Sequence, residues 1–452
     1  MTVAWGMDHR AIEAGLGPAF VLTIGIFLFV LLAISRCWMH ETAAALAGVV
    51  ALWLITYIGG TFVPALHLLD FGEAMASVDW NVIFLIFGMM IFMAMFGETG
   101  ALRWLALGAF RMARGNAWLL GLILVLLAGL TSAFLNNVTA ILLLVPLTVQ
   151  IAQTVGVHPF VYVIPEVLAA NIGGAATLIG DPPSTIVGSH LGLGFFEYMA
   201  EMAPVAAVCL VILVGLAGWL YRHELSDARQ QISPGLVAQL EAGAHVTDRP
   251  LLRKTILVGM VTILMFLIGP VFALPLGVIA LAGATCLMIW VRPNMQRMMR
   301  EVDWTTLFFF IGIFILVGGL QQTGVLRRVG ESVVKLAGHN RVMATVLMVW
   351  VSGATSSAID NIPYTIAALP VADALSAAVP SAGADRNLYW ALILGTDLGA
   401  NATYIGGAAN IVAVGLLAQA GYRVGFGRFV RDGALVTVIT LAVATIWLLI
   451  RY

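Results

Sequence analysis

Charge is what this sequence has least of. Only 10% of its 452 residues are Asp, Glu, Lys or Arg, and the lysines are Lys254 and Lys335 alone. A soluble chain carries about a quarter of its residues charged, so a water-facing exterior is excluded for most of this one. The net charge of −1 leaves no global field to attract nucleic acid or an acidic partner. Cysteine is almost missing as well. Cys37, Cys209 and Cys286 stand far apart in apolar segments, without metal-ligand spacing, and read as packing residues. No resident metal or cofactor is expected. The sequence has no Gly-x-x-x-x-Gly-Lys, which excludes ATP hydrolysis by a P-loop, and no His-Glu-x-x-His. The first 17 residues carry charges of both signs and no cleavage-type pattern, so no removable signal peptide is expected.

Apolar residues fill the space that charge leaves, at 61% of the chain with a mean hydropathy of +1.01. A spanning helix needs about 20 mostly apolar residues. Candidates run near 18–36, 42–64, 80–97, 201–221, 255–270, 273–291, 304–321 and 432–450. Two further segments, 160–190 and 389–416, are long enough to cross but are interrupted by glycine, proline and polar residues. About ten crossings follow. Placing Arg103, Arg111 and Arg114 inside, and alternating onward, puts 15 of the 22 Lys and Arg residues on the cytoplasmic side. Both termini then face out from an inner membrane.

The apolar runs 117–130 and 138–150 flank the polar TSAFLNN of Thr131 to Asn137. Arms of that length reach only about 20 Å, short of a bilayer core of roughly 30 Å, so 117–150 reads as a re-entrant hairpin. The stretch 342–375, around TSSAIDN at Thr355 to Asn361, has the same form. Such breaks are tolerated at membrane depth only where they are buried or line a cavity.

The chain is written twice. VDWNVIFLIFGMMIFMAMFGETGALR from Val78 and VDWTTLFFFIGIFILVGGLQQTGVLR from Val302 share about 10 of 26 positions at an offset of 224. The same offset carries TSAFLNN onto TSSAIDN and Pro146 onto Pro370. At 226, NIGGAATLIGDPPS from Asn171 lands on DLGANATYIGGAAN from Asp397. Each half holds an odd number of crossings, so its second copy inserts upside down. The expected fold is an all-α polytopic membrane protein with two inverted repeats, 1–221 and 255–452, joined by a cytoplasmic linker at 222–254. Its site lies at the repeat interface near mid-membrane.

Four polar breaks should meet there. The hairpin tips offer Thr131, Ser132, Asn136 and Asn137, then Thr355, Ser356, Ser357, Asp360 and Asn361. The broken helices offer Asn171, Thr177, Asp181 and Ser184, then Asp397, Asn401, Thr403 and Asn410. Hydroxyls and amides both donate and accept, so they can replace a hydration shell without fixed charge. Ionisable residues in membrane segments point to function, and here the copies differ. Asn136 matches Asp360, Asn171 matches Asp397, and Asp181 matches Gly407. No Lys or Arg lies within the breaks, so protons or cations are the natural counter-charges. Asp181, followed by Pro182 and Pro183, also fits a helix cap. Asp360 and Asp397 have no such reading, and all three carboxylates are assigned to proton or cation coupling. Glu166 either couples too or snorkels to the cytoplasmic face. Leu178-Ile179-Gly180-Asp181 only approaches the Gly-x-Gly-Asp of aspartyl membrane proteases, and no enzyme is expected. His40, His67, His158, His190, His223 and His339 fall near span ends and read as interfacial.

SAFLNNVTAILLLVPLTV (Ser132 to Val149), EVLAANIGGAATLIGDPPS (Glu166 to Ser184), SSAIDNIPYTIAALPV (Ser356 to Val371) and GANATYIGGAANIVAVG (Gly399 to Gly415) resemble the ArsB/NhaD/P-protein branch of the ion transporter superfamily. The resemblance runs from about residue 18 onward. It implies a scaffold domain, a transport domain moving as an elevator, and a homodimer. By position it points to Asn137, Asn171, Thr177, Asp181, Asp360, Asn361, Asp397, Asn401, Thr403 and Asn410 as the site. Members include arsenite and antimonite efflux proteins, sodium/proton antiporters and the melanosomal P protein. The leading expectation is an ArsB-type exporter of arsenite or antimonite in exchange for protons, with a separate ArsA-type ATPase as a possible partner at the linker. Sodium/proton antiport and sodium-coupled uptake of an anion such as a dicarboxylate are the alternatives. A channel would need neither coupling carboxylates nor a mobile repeat.

Overall fold

The structure, a computed structural model, describes residues 17–36, 38–226, 247–337, 340–378 and 386–452. Most of the linker and His339 therefore lie outside the described residues. Among those described there is no strand. The first half contains α1 (Pro18–Ser35), α2 (Glu41–Leu54, continuing to Phe62), α3 (Trp80–Glu98), α4 (Ala101–Ala113), α5 (Ala117–Phe134), α6 (Asn137–Val155), α7 (Phe160–Gly174), α8 (Pro182–His190) and α9 (Phe195–Leu220). The second contains α10 (Arg249–Ile268), α11 (Leu276–Val291), α12 (Trp304–Gln322), α13 (Val325–Ala337), α14 (Arg341–Ala358), α15 (Asn361–Ala378), α16 (Asn387–Gly399), α17 (Ala408–Gln419) and α18 (Phe426–Arg451).

Nine helices among the described residues are long and apolar enough to cross a membrane, and α11 is a shorter apolar helix. The nine include the hairpin arms α5 and α6. These arms have 18 and 19 residues, longer than the sequence suggested. The polar tip does not end α5, because Thr131 Oγ1 folds back onto the Leu127 carbonyl at 2.7 Å and lets the helix run to Phe134. The turn at Leu135–Asn136 and the interruptions at 175–181 and 400–407 sit where the sequence placed its breaks.

The duplicated VDW segment is a helix-starting device. Asp79 caps α3 by accepting from the Asn81 and Val82 amides, and Asp303 caps α12 by accepting from Thr306. The indoles of Trp80 and Trp304 donate back to the Met75 and Met299 carbonyls at 3.3 and 2.8 Å. The halves interlock through these helices. Helix α3 packs on α11 of the other half, and α12 packs on α2. At both contacts a glycine lets the helices close: a Cβ on Gly88 would meet the Ala280 backbone at 2.7 Å, and one on Gly312 would meet Ala45 at 2.9 Å. In a membrane such close backbone approach takes the place of a hydrophobic drive between helices.

Helices α9 and α18 are clasped at both ends in the same way. The Tyr221 hydroxyl donates to Asp432 at 3.0 Å and the Tyr452 hydroxyl to Glu201 at 2.8 Å. Arg431 and Arg451 complete the two pairs. The Tyr221 clasp is buried, whereas the Tyr452 clasp is partly open and keeps two Arg451 bonds to Glu201. A hydrogen bond to a charged group contributes about 1.5–3 kcal/mol. Tyr221→Phe is therefore expected to lower the melting temperature in nanodiscs clearly more than Tyr452→Phe does. Equal melting of the two variants would contradict this ranking.

Candidate functional site

The two hairpin tips are latched to the broken helices by matching bonds. Ser132 Oγ donates to the Ala170 carbonyl at 2.7 Å, and Ser356 Oγ donates to the Thr396 carbonyl at 2.7 Å. Thr177 Oγ1 donates to the Ala133 carbonyl, and Thr403 Oγ1 to that of Ser357. Each latch is the image of the other at the sequence offset of the repeats. These four residues hold the breaks in place. Thr131 bonds within its own helix and stands apart from the polar centre.

Inside the latches lies one continuous polar network. Asn137 Nδ2 donates to Asp181 Oδ1 at 2.9 Å and to Asn171 Oδ1 at 3.2 Å. Asn361 Nδ2 donates to Asp181 Oδ2 at 3.2 Å. Asn171 Nδ2 donates to the side-chain oxygens of Asn401 (2.8 Å) and Asn410 (2.9 Å). Ser184 Oγ donates to Asp397 Oδ2 at 3.3 Å. The bonds from Asn171 to Asn410 and from Ser184 to Asp397 cross between the halves as two-fold images. Asn401 and Asn410 are anchored in turn on the carbonyls of Leu168, Ala400 and Thr403.

Asp181 and Asp397 sit against each other. Both are buried, at 2% and 0% exposed, and they lie close enough to act on each other. Two neighbouring buried carboxyl groups disfavour ionising together, so such a pair is suited to holding one proton between them. Among the described residues no Lys, Arg or His bonds either group; Asn137 and Asn361 donate to Asp181, Ser184 donates to Asp397, and Asp360 and Tyr198 stand nearby. Asp397 Oδ1 is buried without a partner. The arrangement can release and accept a proton while amide groups hold the geometry.

Asp181 and Asp360, both assigned to coupling from the sequence, take different places in the structure. Asp181 stands at the start of α8 but makes no side-chain capping bond there. Pro182 and Pro183 remove the first two amides, and the side chain turns into the network rather than onto the remaining Ser184 amide. Asp360, assigned to coupling, accepts from the Ile362 amide at 3.0 Å at the start of α15. Asn136 does the same for Val138 at the start of α6. Both tip residues are helix starters. Glu166 is fully buried on α7 and does not snorkel.

Sequence reasoning missed Tyr198. Its hydroxyl, buried on α9, donates to the Ala175 carbonyl at 3.2 Å in the break before Asp181. The only sign of it was a tyrosine at the head of an apolar run. The interfacial reading also missed that His190 bonds Asp373 at 3.0 Å while Tyr389 donates to the same carboxylate oxygen. His67, Asp70 and Glu73 come close enough together to hold an ion, but Asp70 and Glu73 form a capping box at Phe71–Ser77, apart from the network.

Comparison with known proteins agrees with this architecture. The CitMHS family, described as citrate transporter, matches residues 28–395. An uncharacterized transporter of Mycobacterium tuberculosis is 35% identical over 431 residues, covering 95% of this chain and 98% of that protein. The P protein of Homo sapiens is 31% identical, covering 98% of this chain and 60% of its own length. Among solved structures, the YdaH transporter of Alcanivorax borkumensis superposes with a TM-score of 0.56 at 14% identity, over 95% of this chain and 97% of its own. MtrF of Neisseria gonorrhoeae, described as one of a class of antimetabolite efflux pumps, gives 0.55 at 11% identity, over 95% and 94%.

Proposed function

The chain belongs to the CitMHS family, a family of multi-pass membrane transporters and not enzymes, and from that membership we propose that it is a proton-coupled secondary transporter of the inner membrane. The observation that carries this reading is the Asp181–Asp397 pair, two neighbouring buried carboxyl groups with no basic side chain bonded to them among the described residues. The hairpins and broken helices, α5–α8 and α14–α17, form the moving unit of an elevator. Helices α2, α3, α11 and α12 form its scaffold.

The cargo is a small uncharged hydroxide, arsenite or antimonite, exported as protons enter. The network of amides and hydroxyls supports such a solute, which needs donors and acceptors but no cationic clamp. Cys209 and Cys286 contribute no thiolate to the network, and a thiolate would hold trivalent arsenic too tightly for release. A second reading follows from the family's description. A citrate-like anion has no Lys or Arg to meet at this site, so it would enter with bound cations or protons. Sodium exchanged for protons on the same carboxylates is the remaining case.

Purified protein in liposomes under an imposed proton gradient, tested in turn with arsenite, sodium and citrate, separates the three. Arsenite movement driven by the gradient and indifferent to sodium is the expected result. Sodium-driven proton movement, or citrate flux without arsenite flux, would replace the cargo while keeping the site.

A further inference from the structure

Glu166 takes no part in the network described above. It is fully buried on α7. Thr148 Oγ1 on α6 donates to its Oε1 at 2.7 Å, and its Oε2 is buried with no partner. Of the elements packed on α7, helices α5, α6 and α17 and the turn 400–402 carry no ionisable side chain. Helix α9 brings Glu197, Tyr198, Glu201 and Cys209, and α16 brings Tyr389 and Asp397, while α7 itself has Tyr162. None of these acts on Glu166, whose surroundings reduce to burial and the Thr148 bond. An ionised carboxylate there would stand unpaired in a low-dielectric interior, at a cost of several kcal/mol. The side chain is a neutral acid in this conformation.

Its place along the helix matters. Glu166 lies six residues past Phe160 at the water-facing end of α7 and five before Asn171 in the network. At helical rise that is about 9 Å from the first and about 7.5 Å from the second. Pro165 beside it and Pro146 on α6 lack amide hydrogens, so the Val161 and Leu142 carbonyls, each more than a turn along its helix from the Glu166–Thr148 contact, lose their helical donors. Those carbonyls are acceptors for a proton-carrying water. At the mouth of this path stands His158, whose imidazole is pushed below its ordinary range by partial burial and then by the Arg428 charge. It adds no positive charge there at neutral pH. The other repeat has Leu392 at the matching position. The packing of this helix pair therefore does not require an acid.

We propose that Glu166 is a second proton-carrying site, which takes a proton from water at the 156–159 loop and passes it to the Asp181–Asp397 pair. It rests on the proton-coupled reading of that pair. Two variants test it: Glu166→Gln, which keeps the size and the Thr148 bond, and Glu166→Leu, which copies the other repeat. The assay follows proton flux with a pH dye in liposomes, using whichever of arsenite, sodium and citrate the wild type moves. Counterflow of that solute and the carboxylic-acid carbonyl band in the infrared spectrum are measured on the same preparations.

Both variants are expected to lose proton flux by at least about tenfold, keep counterflow within about twofold, and lose one protonated-carboxyl band. Wild-type proton flux in either variant overturns the relay. Loss of counterflow together with proton flux makes Glu166 a structural residue and overturns it too. Absence of proton flux in the wild type sinks both the relay and the proton-coupled reading, so the two failures are told apart.

Discussion

Asp397→Asn is expected to abolish proton coupling, by about 100-fold or more in proton flux, and to leave a folded protein that still exchanges solute in counterflow. The substitution places at 397 the residue that the first repeat already has at Asn171. An asparagine there still accepts from Ser184 through its oxygen and offers an amide nitrogen beside Asp181. What disappears is the shared proton. With one carboxylate left there is no repulsion to drive a proton on and off as the partner changes state. Solute counterflow should lose its pH dependence, because nothing in the pair changes charge between the two directions of transport. Asp360→Asn is the matched control. Asp360 starts α15 as Asn136 starts α6, and Asn caps a helix about as well as Asp. That variant should keep most of its proton flux. Wild-type coupling in Asp397→Asn, or a loss as complete in Asp360→Asn, would contradict the division of labour drawn from the structure.

The large features of the fold were legible because they are written in composition and in repetition. Apolar runs gave the spans, and one offset through three segments gave the duplication. The residues of the network were legible for the same reason, since polar groups within apolar runs must converge on something. What could not be read was which way each side chain turns. Asp181 and Asp360 both precede a helix, and sequence alone leaves the one followed by prolines open between a cap and a coupling residue. In the structure Asp181 turns into the network, where Asn137 and Asn361 donate to it, while Asp360 accepts from the Ile362 amide. Thr131 was misplaced on similar grounds. A hydroxyl near a break looks like a ligand, but a threonine can satisfy itself on the carbonyl four residues back. Tyr198 was invisible because its contact depends on how α9 lies against the break at Ala175. The clasps between α9 and α18 need the same three-dimensional information. Their Tyr–carboxylate pairs are separated by 211 and 251 residues.

Gly173→Ala is expected to destabilise the protein by more than about 3 kcal/mol, above the usual range for overpacking, and to remove transport. A Cβ at this position would lie 2.0 Å from the Gly129 carbonyl oxygen, with the rest of the Gly129 backbone next. No rotamer can relieve a clash against main chain, so α5 and α7 would have to move apart. That separation would stretch the Ser132 bond to Ala170, the residue before Asn171, and would loosen the first tip from its broken helix. The second repeat repeats the constraint: a Cβ on Gly399 would meet the Gly353 backbone at 2.5 Å. Both tips thus depend on a glycine pair that brings a hairpin arm against a broken helix, and the network forms only at that spacing. Gly215→Ala on α9 is the control, since its Cβ would meet nothing within 4 Å. It should stay within about 0.5 kcal/mol of wild type. Thermal melting in detergent followed by size exclusion reads both. Melting of Gly173→Ala together with the wild type would mean that the tip tolerates a wider spacing, and the glycine pairs would then lose their role in building the site.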